Sequence, residues 1–186
     1  DLKPGDRVCV LAYKGCGQCT YCTTGRENLC AQTEHLGHGA GWDDIEYCPG
    51  GMAEYCLAWA DKVYRLPDTI SFAEATFLDG LAVAVHASKR ANIRSGDRVL
   101  IHGCGPIGLM MAQLALTKDA ADVVCVDVQA KPLELARHYG VEGLTVVELD
   151  ALPDERFDVI LDSVGQGDRI PRLLALLARG GTLVFM

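Results

Sequence analysis

The chain from about residue 80 onward is predicted to form a doubly wound α/β domain built on a parallel β-sheet. Two observations predict this fold. Almost wholly apolar strand segments alternate with helical segments, and a glycine-rich turn joins the first of these strands to the helix that follows. Apolar strands separated by helices are typical of a parallel sheet covered on both faces. Residues 1 to about 66 are instead predicted to be mainly β structure, as short strands and loops, with a cysteine-rich lobe.

The individual elements follow from capping sequences and apolar runs. Ser71, with Glu74 three residues later, is a capping-box sequence, and the helical apolar stretch after it continues to His86. Strands are then predicted over residues 98–102, 122–127, 157–164 and 182–186, and helices over residues 106–116, 131–139 and 168–179. In the first part of the chain, strands are predicted over residues 6–13, 53–59 and 62–66, with glycine-rich loops between them.

Composition indicates a globular protein that binds neither nucleic acid nor a membrane. The 186 residues are 49% hydrophobic, and the formal net charge is −8, whereas a nucleic-acid binder needs a basic face. No apolar run reaches the length of a bilayer-spanning helix, and no basic-then-apolar signal opens the chain. Because the chain opens at Asp1 and closes in an apolar run at Met186, we expect an internal fragment of a longer protein.

Cysteine usage indicates a metal site rather than a disulfide framework. The chain has nine cysteines, of which four form a tight cluster while most of the others are scattered among apolar residues. An odd number, a tight cluster and the lack of a secretion signal favour a reducing compartment. We therefore expect a cytoplasmic protein.

The clustered cysteines have the spacing Cys16-x2-Cys19-x2-Cys22-x7-Cys30. A tight loop can aim three closely spaced thiolates at one point, and a fourth from its far side completes a tetrahedron around zinc. Such a site has no open position, so this zinc is predicted to be structural. An iron–sulfur cluster is an alternative, but its bacterial motif continues with a closer fourth cysteine followed by proline. Unligated thiols are the third reading.

The glycine-rich turn matches the pattern G-x-G-x-x-G at Gly103, Gly105 and Gly108, with Pro106 and Ile107 between the last two. The pattern alone is weak, but here it follows a predicted strand and opens a helix. In that setting the first glycine makes the tight turn, the second lets the backbone approach a pyrophosphate, and the third lets the helix pack on the strand. The N-terminus of the helix then faces the phosphates with unpaired N–H groups. A glycine turn without a ligand is the alternative.

Asp127 ends the next predicted strand and completes this dinucleotide fingerprint. Its carboxylate would accept hydrogen bonds from ribose hydroxyls and would repel a 2′-phosphate. The sequence therefore favours NAD over NADP. Two histidines are predicted to have structural roles: His86 as a core histidine on an apolar helix face, and His102 as a sheet-packing residue before the fingerprint.

The assembled motifs resemble the zinc-containing medium-chain alcohol dehydrogenases, including the polyol and threonine dehydrogenase branches. The matching pieces run nearly end to end. They are Gly5-Asp-Arg-Val, the cysteine lobe ending Asn28-Leu-Cys30, Gly51-Met-Ala-Glu-Tyr, Leu66-Pro-Asp, Ala84-Val-His-Ala, the glycine fingerprint, and Phe157-Asp-Val-Ile-Leu-Asp-Ser-Val-Gly.

The resemblance implies two domains. Residues 1–79 would be the C-terminal part of a GroES-like catalytic domain with the structural zinc lobe. Residues 80–186 would be the N-terminal part of a truncated Rossmann dinucleotide-binding domain. A second, catalytic zinc would lie in the cleft between the domains, with its first ligands upstream of this sequence. Asp79 stands where the family has its third ligand, although Asp replaces the usual Glu and Gly80 the usual Pro. Val164 lies where the family contacts the nicotinamide half of the cofactor.

The implied activity is zinc-assisted hydride transfer between an alcohol or polyol and NAD. The expected partners are a small-molecule alcohol and further copies of the chain, as a homodimer or homotetramer. The alternative is a non-catalytic zinc- and dinucleotide-binding fragment that lacks most ligands of the catalytic zinc. The sequence does not identify the alcohol.

Overall fold

A computed structural model describes residues 2–37 and 50–186. The chain divides into two compact units, Asp1–Ala75 and Thr76–Met186. The domain boundary between residues 79 and 80 stays a prediction. Among the described residues, no helix combines the length and apolar character needed to cross a bilayer.

The first unit consists of short elements joined by long loops. Its strands pair antiparallel in two small sheets, β1 with β4 and β2 with β3. Its elements are β1 (Val8–Val10), β2 (Tyr13–Lys14), α1 (Thr20–Thr23), a 3₁₀ helix (Glu27–Leu29), β3 (Glu34–His35), a 3₁₀ helix (Ala60–Lys62), β4 (Val63–Arg65) and α2 (Phe72–Ala75). The predicted capping box is present at α2, because Ser71 Oγ accepts from the Glu74 backbone N–H and the Glu74 carboxylate accepts from the Ser71 backbone N–H.

The second unit is an α/β domain whose helices cover a five-stranded sheet. Its elements are α3 (Leu78–Ala91), β5 (Arg98–His102), α4 (Pro106–Leu116), β6 (Asp122–Val126), α5 (Ala130–His138), β7 (Glu142–Leu144), α6 (Val146–Asp150), β8 (Phe157–Asp162), a 3₁₀ helix (Gly167–Arg169), α7 (Ile170–Leu176) and β9 (Leu177–Phe185).

All neighbouring strands of this sheet run parallel, in the order β7-β6-β5-β8-β9. The chain moves outward from β5 through β6 to β7, then crosses back and continues on the other side with β8 and β9. The two directions require helices on opposite faces. The predicted doubly wound parallel sheet is therefore confirmed.

Alternate residues of the central strands supply two separate cores. Val99 and Ile101 pack with alanines and other apolar residues of α3, α4 and α5 on one face. Leu100 and Ile160 pack with residues of α6 and α7 on the other. Successive side chains of a strand point to opposite faces, so a wholly apolar strand is buried twice. Because both faces of these strands are buried, the register of the sheet is fixed. The register in turn determines which strand ends lie side by side.

Several predicted elements have other bounds in the structure, and three of them differ most. Residues 53–59 form no strand; Tyr55 and Leu57 there are exposed, and no strand of the described residues pairs with this segment. The helix predicted over residues 168–179 ends at Leu176, and the last strand begins at Leu177 rather than at Thr182. An irregular register against β8 lets β9 start early.

In the second unit, two elements, β7 and α6, were not predicted. β7 has only three residues, and a strand of that length gives too few positions for a periodic pattern. α6 begins with a capping box, because Thr145 Oγ accepts from the Glu148 backbone N–H and the Glu148 carboxylate accepts from the Thr145 backbone N–H. That Thr-x-x-Glu sequence was the signal that could have located α6.

Gly108 in the first turn of α4 is the tightest glycine of the fold. A Cβ atom there would lie 1.9 Å from the Gly103 carbonyl oxygen, which is backbone and cannot rotate away. We expect Gly108→Ala to lower the free energy of unfolding by about 1–3 kcal/mol or more, the usual cost of overpacking. Urea unfolding followed by circular dichroism measures it.

Gly105 provides the matched control, because a Cβ atom there would meet no atom within 4 Å. Gly105→Ala should change the free energy of unfolding by about 1 kcal/mol at most, the cost of losing glycine at a helix N-cap. Equal losses from the two substitutions would show that the packing of α4 on the turn does not govern stability.

Candidate functional site

The four clustered cysteines converge on one point in the first unit. Their Sγ atoms all lie within 4.8 Å of one another. The Sγ atom of Cys22 lies 4.0 Å from that of Cys16 and 3.5 Å from that of Cys19. Cys19 is the N-cap of α1, while Cys30 follows the 3₁₀ helix Glu27–Leu29. Each of these two short helices thus positions one cysteine so that its thiol lies near the same point.

Backbone N–H groups inside this lobe point at the sulfurs. Those of Cys16 and Gln32 donate to Cys30 Sγ at 3.4 and 3.3 Å and lower the pKa of that thiol to about 6. A backbone hydrogen bond from Cys22 likewise lowers the pKa of Cys19. Burial instead raises the pKa of the Cys22 thiol to about 12. N–H donors favour the thiolate, which is the form that binds metal.

The spacing of the sulfurs fits one tetrahedral zinc ion. With zinc–sulfur bonds of about 2.3 Å, neighbouring sulfurs stand about 3.8 Å apart, and the two measured distances of 3.5 and 4.0 Å bracket that value. A cluster of several irons would place iron and sulfide between the cysteines and push their sulfurs farther apart. Four thiols this close can all become thiolates only when a cation balances their charge.

In the second unit, the glycine-rich turn lies at the C-terminal end of β5, next to the ends of β6 and β8. The Gly103 N–H donates to the Val126 carbonyl oxygen at 2.8 Å, and Gly103 has a φ of +96°. A Cβ atom on Gly103 would lie 2.6 Å from both Ser163 Oγ and Val164 Cγ2. Two independent reasons therefore require glycine at position 103: its positive φ, which residues with a side chain rarely adopt, and the lack of space for a Cβ atom beside the neighbouring turn.

The N-terminus of α4 faces open space beyond this turn. Gly105 is the N-cap, Pro106 opens the helix, and no side chain caps the first turn. The first N–H groups of a helix have no intrahelical partner, and together with the helix dipole they attract anions. Since no described residue other than its chain neighbours lies within 4 Å of a Cβ position at Gly105, that space is available to a phosphate.

The Asp127 carboxylate is fastened to the same turn. Its Oδ2 accepts from the Cys104 backbone N–H at 2.8 Å, and its Oδ1 accepts from the Gln129 backbone N–H at 2.8 Å. The side chain is half-buried. The structure thus brings the predicted acid and the predicted glycines together at one edge of the sheet.

A cleft of about 610 Å³ opens beside the turn. Gly105 and Pro106 form part of its wall, and apolar side chains of α3, α4 and α5 form most of the rest. Lys131 at the start of α5 is its one cationic lining residue among the described residues. A cleft of this size and character can hold a small organic ligand.

The other predicted site residues, Asp79 and Val164, belong to the second unit. Asp79 is an exposed residue in the first turn of α3, and its carboxylate has no hydrogen bond or ion pair with any described residue. Val164 is 45% exposed and borders the glycine turn. The described residues contain a single group of three or more metal-ligating side chains, and it does not include Asp79.

One histidine differs from its predicted role, and a second makes a contact that was not predicted. His86 is exposed rather than part of the core, because it lies on the outer side of α3. His102 is buried in the sheet as predicted, but its Nδ1 also lies 2.9 Å from Asp162 Oδ1. Sequence reasoning missed this buried pair. A polar residue at the end of each of two apolar strands was the signal that could have revealed it.

Comparison with known proteins finds relatives along the whole chain. A family model described as the alcohol dehydrogenase GroES-like domain matches residues 1–68, and one described as zinc-binding dehydrogenase matches residues 106–186. An L-threonine 3-dehydrogenase from Anaeromyxobacter dehalogenans is 34% identical over 100% of this chain and 53% of its own length. A sorbitol dehydrogenase from Bacillus subtilis is 30% identical with the same coverage.

Solved structures give the same result. An alcohol dehydrogenase from Thermus sp. ATN1 superimposes with a TM-score of 0.87 at 27% identity, covering 100% of this chain and 56% of that structure. The chain spans about half the length of the curated relatives it matches. Together with the cysteine cluster, these matches support zinc and a dinucleotide as cofactors.

Proposed function

Because the chain belongs to the zinc-containing medium-chain alcohol dehydrogenase family, we propose that the protein transfers a hydride between an alcohol or polyol and NAD with the assistance of zinc. One observation carries the cofactor part of this proposal. Asp127 is hydrogen-bonded to the backbone of the glycine turn, beside an uncapped helix N-terminus. This arrangement offers anion-binding N–H groups and a hydroxyl-binding carboxylate within one edge of the sheet.

The chain's own residues would bind and orient the dinucleotide. The backbone N–H groups of Gly105, Ile107 and Gly108, at the uncapped start of α4, would face the pyrophosphate, and Val164, in the turn after β8, would border it. When bound, the dinucleotide supplies the hydride acceptor. The protein contributes position and a cleft with mostly apolar walls.

Asp127 is proposed to select NAD over NADP. Its two oxygens already accept one backbone N–H each, and a carboxylate has about four acceptor sites, so further sites remain for ribose hydroxyls. A phosphate on the ribose 2′ position would instead meet a fixed negative charge. Removing the charge should therefore alter the ratio of affinities for the two cofactors.

Cys16, Cys19, Cys22 and Cys30 are proposed to hold a structural zinc. The support is the spacing of their sulfurs and the N–H groups that donate to two of them. Four sulfur ligands leave no position for water or substrate, so this zinc would stabilise the lobe and take no part in the reaction.

Asp79 is proposed as one ligand of a second, catalytic zinc. Its support is its exposed position at the start of α3 and the lack of a partner among the described residues. A single carboxylate does not make a zinc site, and the described residues place no further ligands beside it. We therefore derive no step of the reaction through that metal.

Substituting Asp127 tests the cofactor proposal. Asp127→Asn keeps the shape and an acceptor oxygen but removes the charge, so NADH should bind about tenfold more weakly, the loss of a hydrogen bond to a charged group. NADPH should bind equally well or better, because the repulsion of its 2′-phosphate disappears. Fluorescence titration with both cofactors measures the ratio, and an equal loss for NADH and NADPH contradicts the ribose role.

Metal analysis tests the lobe. Cys30→Ser should lose about one equivalent of zinc relative to the unsubstituted protein, since zinc needs all four thiolates to close its tetrahedron. The first unit should also unfold at a lower temperature. Cys56→Ser is the matched control, because Cys56 is exposed and its thiol donates only to the Leu57 carbonyl oxygen. Zinc content that is unchanged in Cys30→Ser, or lost in Cys56→Ser, refutes the assignment.

A further inference from the structure

His102 and Asp162 are the last residues of β5 and β8, the two strands at which the strand order reverses. The register places them side by side. In open α/β sheets, ligands bind in the crevice outside the carboxyl ends of the strands at this reversal point. The pair therefore lies buried beneath the crevice in which the proposed function places the dinucleotide.

Both side chains are almost fully buried, at 4% and 0% exposure, and His102 Nδ1 lies 2.9 Å from Asp162 Oδ1. The same oxygen accepts from the backbone N–H groups of Val164 at 3.0 Å and Gly165 at 3.2 Å. One carboxylate oxygen thus joins the imidazole to the turn that follows β8. Gly165 has a φ of +71°, so this turn bends sharply directly after the crevice.

Asp162 Oδ2 is buried and has no hydrogen-bond partner among the described residues. A buried acceptor without a partner costs stability. An apolar residue at this position would avoid that cost, so the carboxylate is a poor choice for stability alone. Its benefit lies in the contacts of Oδ1, which hold the turn.

The same turn is also fastened to the glycine loop. Ser163 Oγ donates to the carbonyl oxygens of His102 at 3.0 Å and Gly103 at 3.3 Å. Val164 Cγ2 occupies the space that a side chain on Gly103 would need. A shift of residues 163–165 would therefore move one wall of the proposed dinucleotide site.

We propose that His102 and Asp162 are positioning residues that hold the Ser163–Gly165 turn against the glycine loop and so set the geometry of the cofactor site. This inference rests on the proposed function for its cofactor part. Its structural part, the fixing of the turn, can be measured without any ligand. An experiment can therefore contradict the cofactor part of the proposal without contradicting the structural part, and the reverse.

His102→Leu breaks the pair, and His102→Asn restores part of it, because the Asn side-chain amide can donate from nearly the position of Nδ1. The matched control is Arg98→Met. Arg98 and Asp158 join the same two strands at their opposite ends through two side-chain bonds of 2.9 Å. Both His102→Leu and Arg98→Met should lower the melting temperature, but only His102→Leu should affect the site.

The first measurement is amide hydrogen exchange without cofactor. Exchange at Val164 and Gly165 should accelerate at least about tenfold in His102→Leu, as expected when hydrogen bonds to a charged acceptor are weakened. It should return toward the original rate in His102→Asn and stay unchanged in Arg98→Met. Equal protection in His102→Leu and the unsubstituted protein would overturn the proposal.

The second measurement is NADH affinity by fluorescence titration, well below each melting temperature. His102→Leu should bind NADH at least about tenfold more weakly, the cost of an altered site, while His102→Asn recovers most of the affinity and Arg98→Met loses none. Should His102→Leu fail to fold, the isosteric Asp162→Asn should show the same direction of change. Accelerated exchange with unchanged NADH affinity overturns the role in the site. An unsubstituted protein that binds no dinucleotide refutes the proposed function instead.

Discussion

The parallel pairing of β5 with β6 on one side and β8 on the other is the constraint on which the second unit depends. It sets His102 beside Val126 and beside Asp162, so the carboxyl ends of three strands meet at one edge. Since the strands are buried on both faces, a register slip by one residue would turn every apolar side chain toward the wrong core. The two cores therefore fix the position of the glycine turn, of Asp127 and of the buried pair.

The first unit depends less on a buried apolar core than the second unit does. Among the four clustered cysteines only Cys30 is buried, and the strands of this unit have two or three residues each. Ion pairs supplement these short ladders, as where Lys62 Nζ approaches Glu27 Oε2 at 2.6 Å beside the lobe, which raises the pKa of Lys62. A lobe with so little core gains most from a metal that crosslinks distant residues, because binding free energy then becomes folding free energy. Metal binding would thus fix the geometry of the cysteine lobe, whereas the burial of apolar side chains fixes that of the α/β domain.

Prediction from sequence succeeded where one segment carries its own signal. Three kinds of feature are recognisable from about ten neighbouring residues: the apolar strands, the capping box at Ser71 and Glu74, and the glycine turn. The structure contains each of them. It failed where the outcome depends on a neighbour. Residues 53–59 carry a strand-like composition, but a strand exists only with a partner ladder, and the described residues supply none there. β7 is the reverse case, since a three-residue strand forms because β6 offers it an edge.

The sequence alone determined which chemical groups the candidate sites contain: four thiols at zinc spacing, glycines at the fingerprint spacing, and an acid at the end of the second strand of the domain. These are properties of residue type and short separation. Tertiary structure alone decided which distant groups touch, such as His102 with Asp162 across 60 positions, or Asp127 with the Cys104 backbone N–H across 23. The physical reason is that such contacts are set by strand order and register. Those arise from the burial of many apolar side chains at once, and no single motif encodes them.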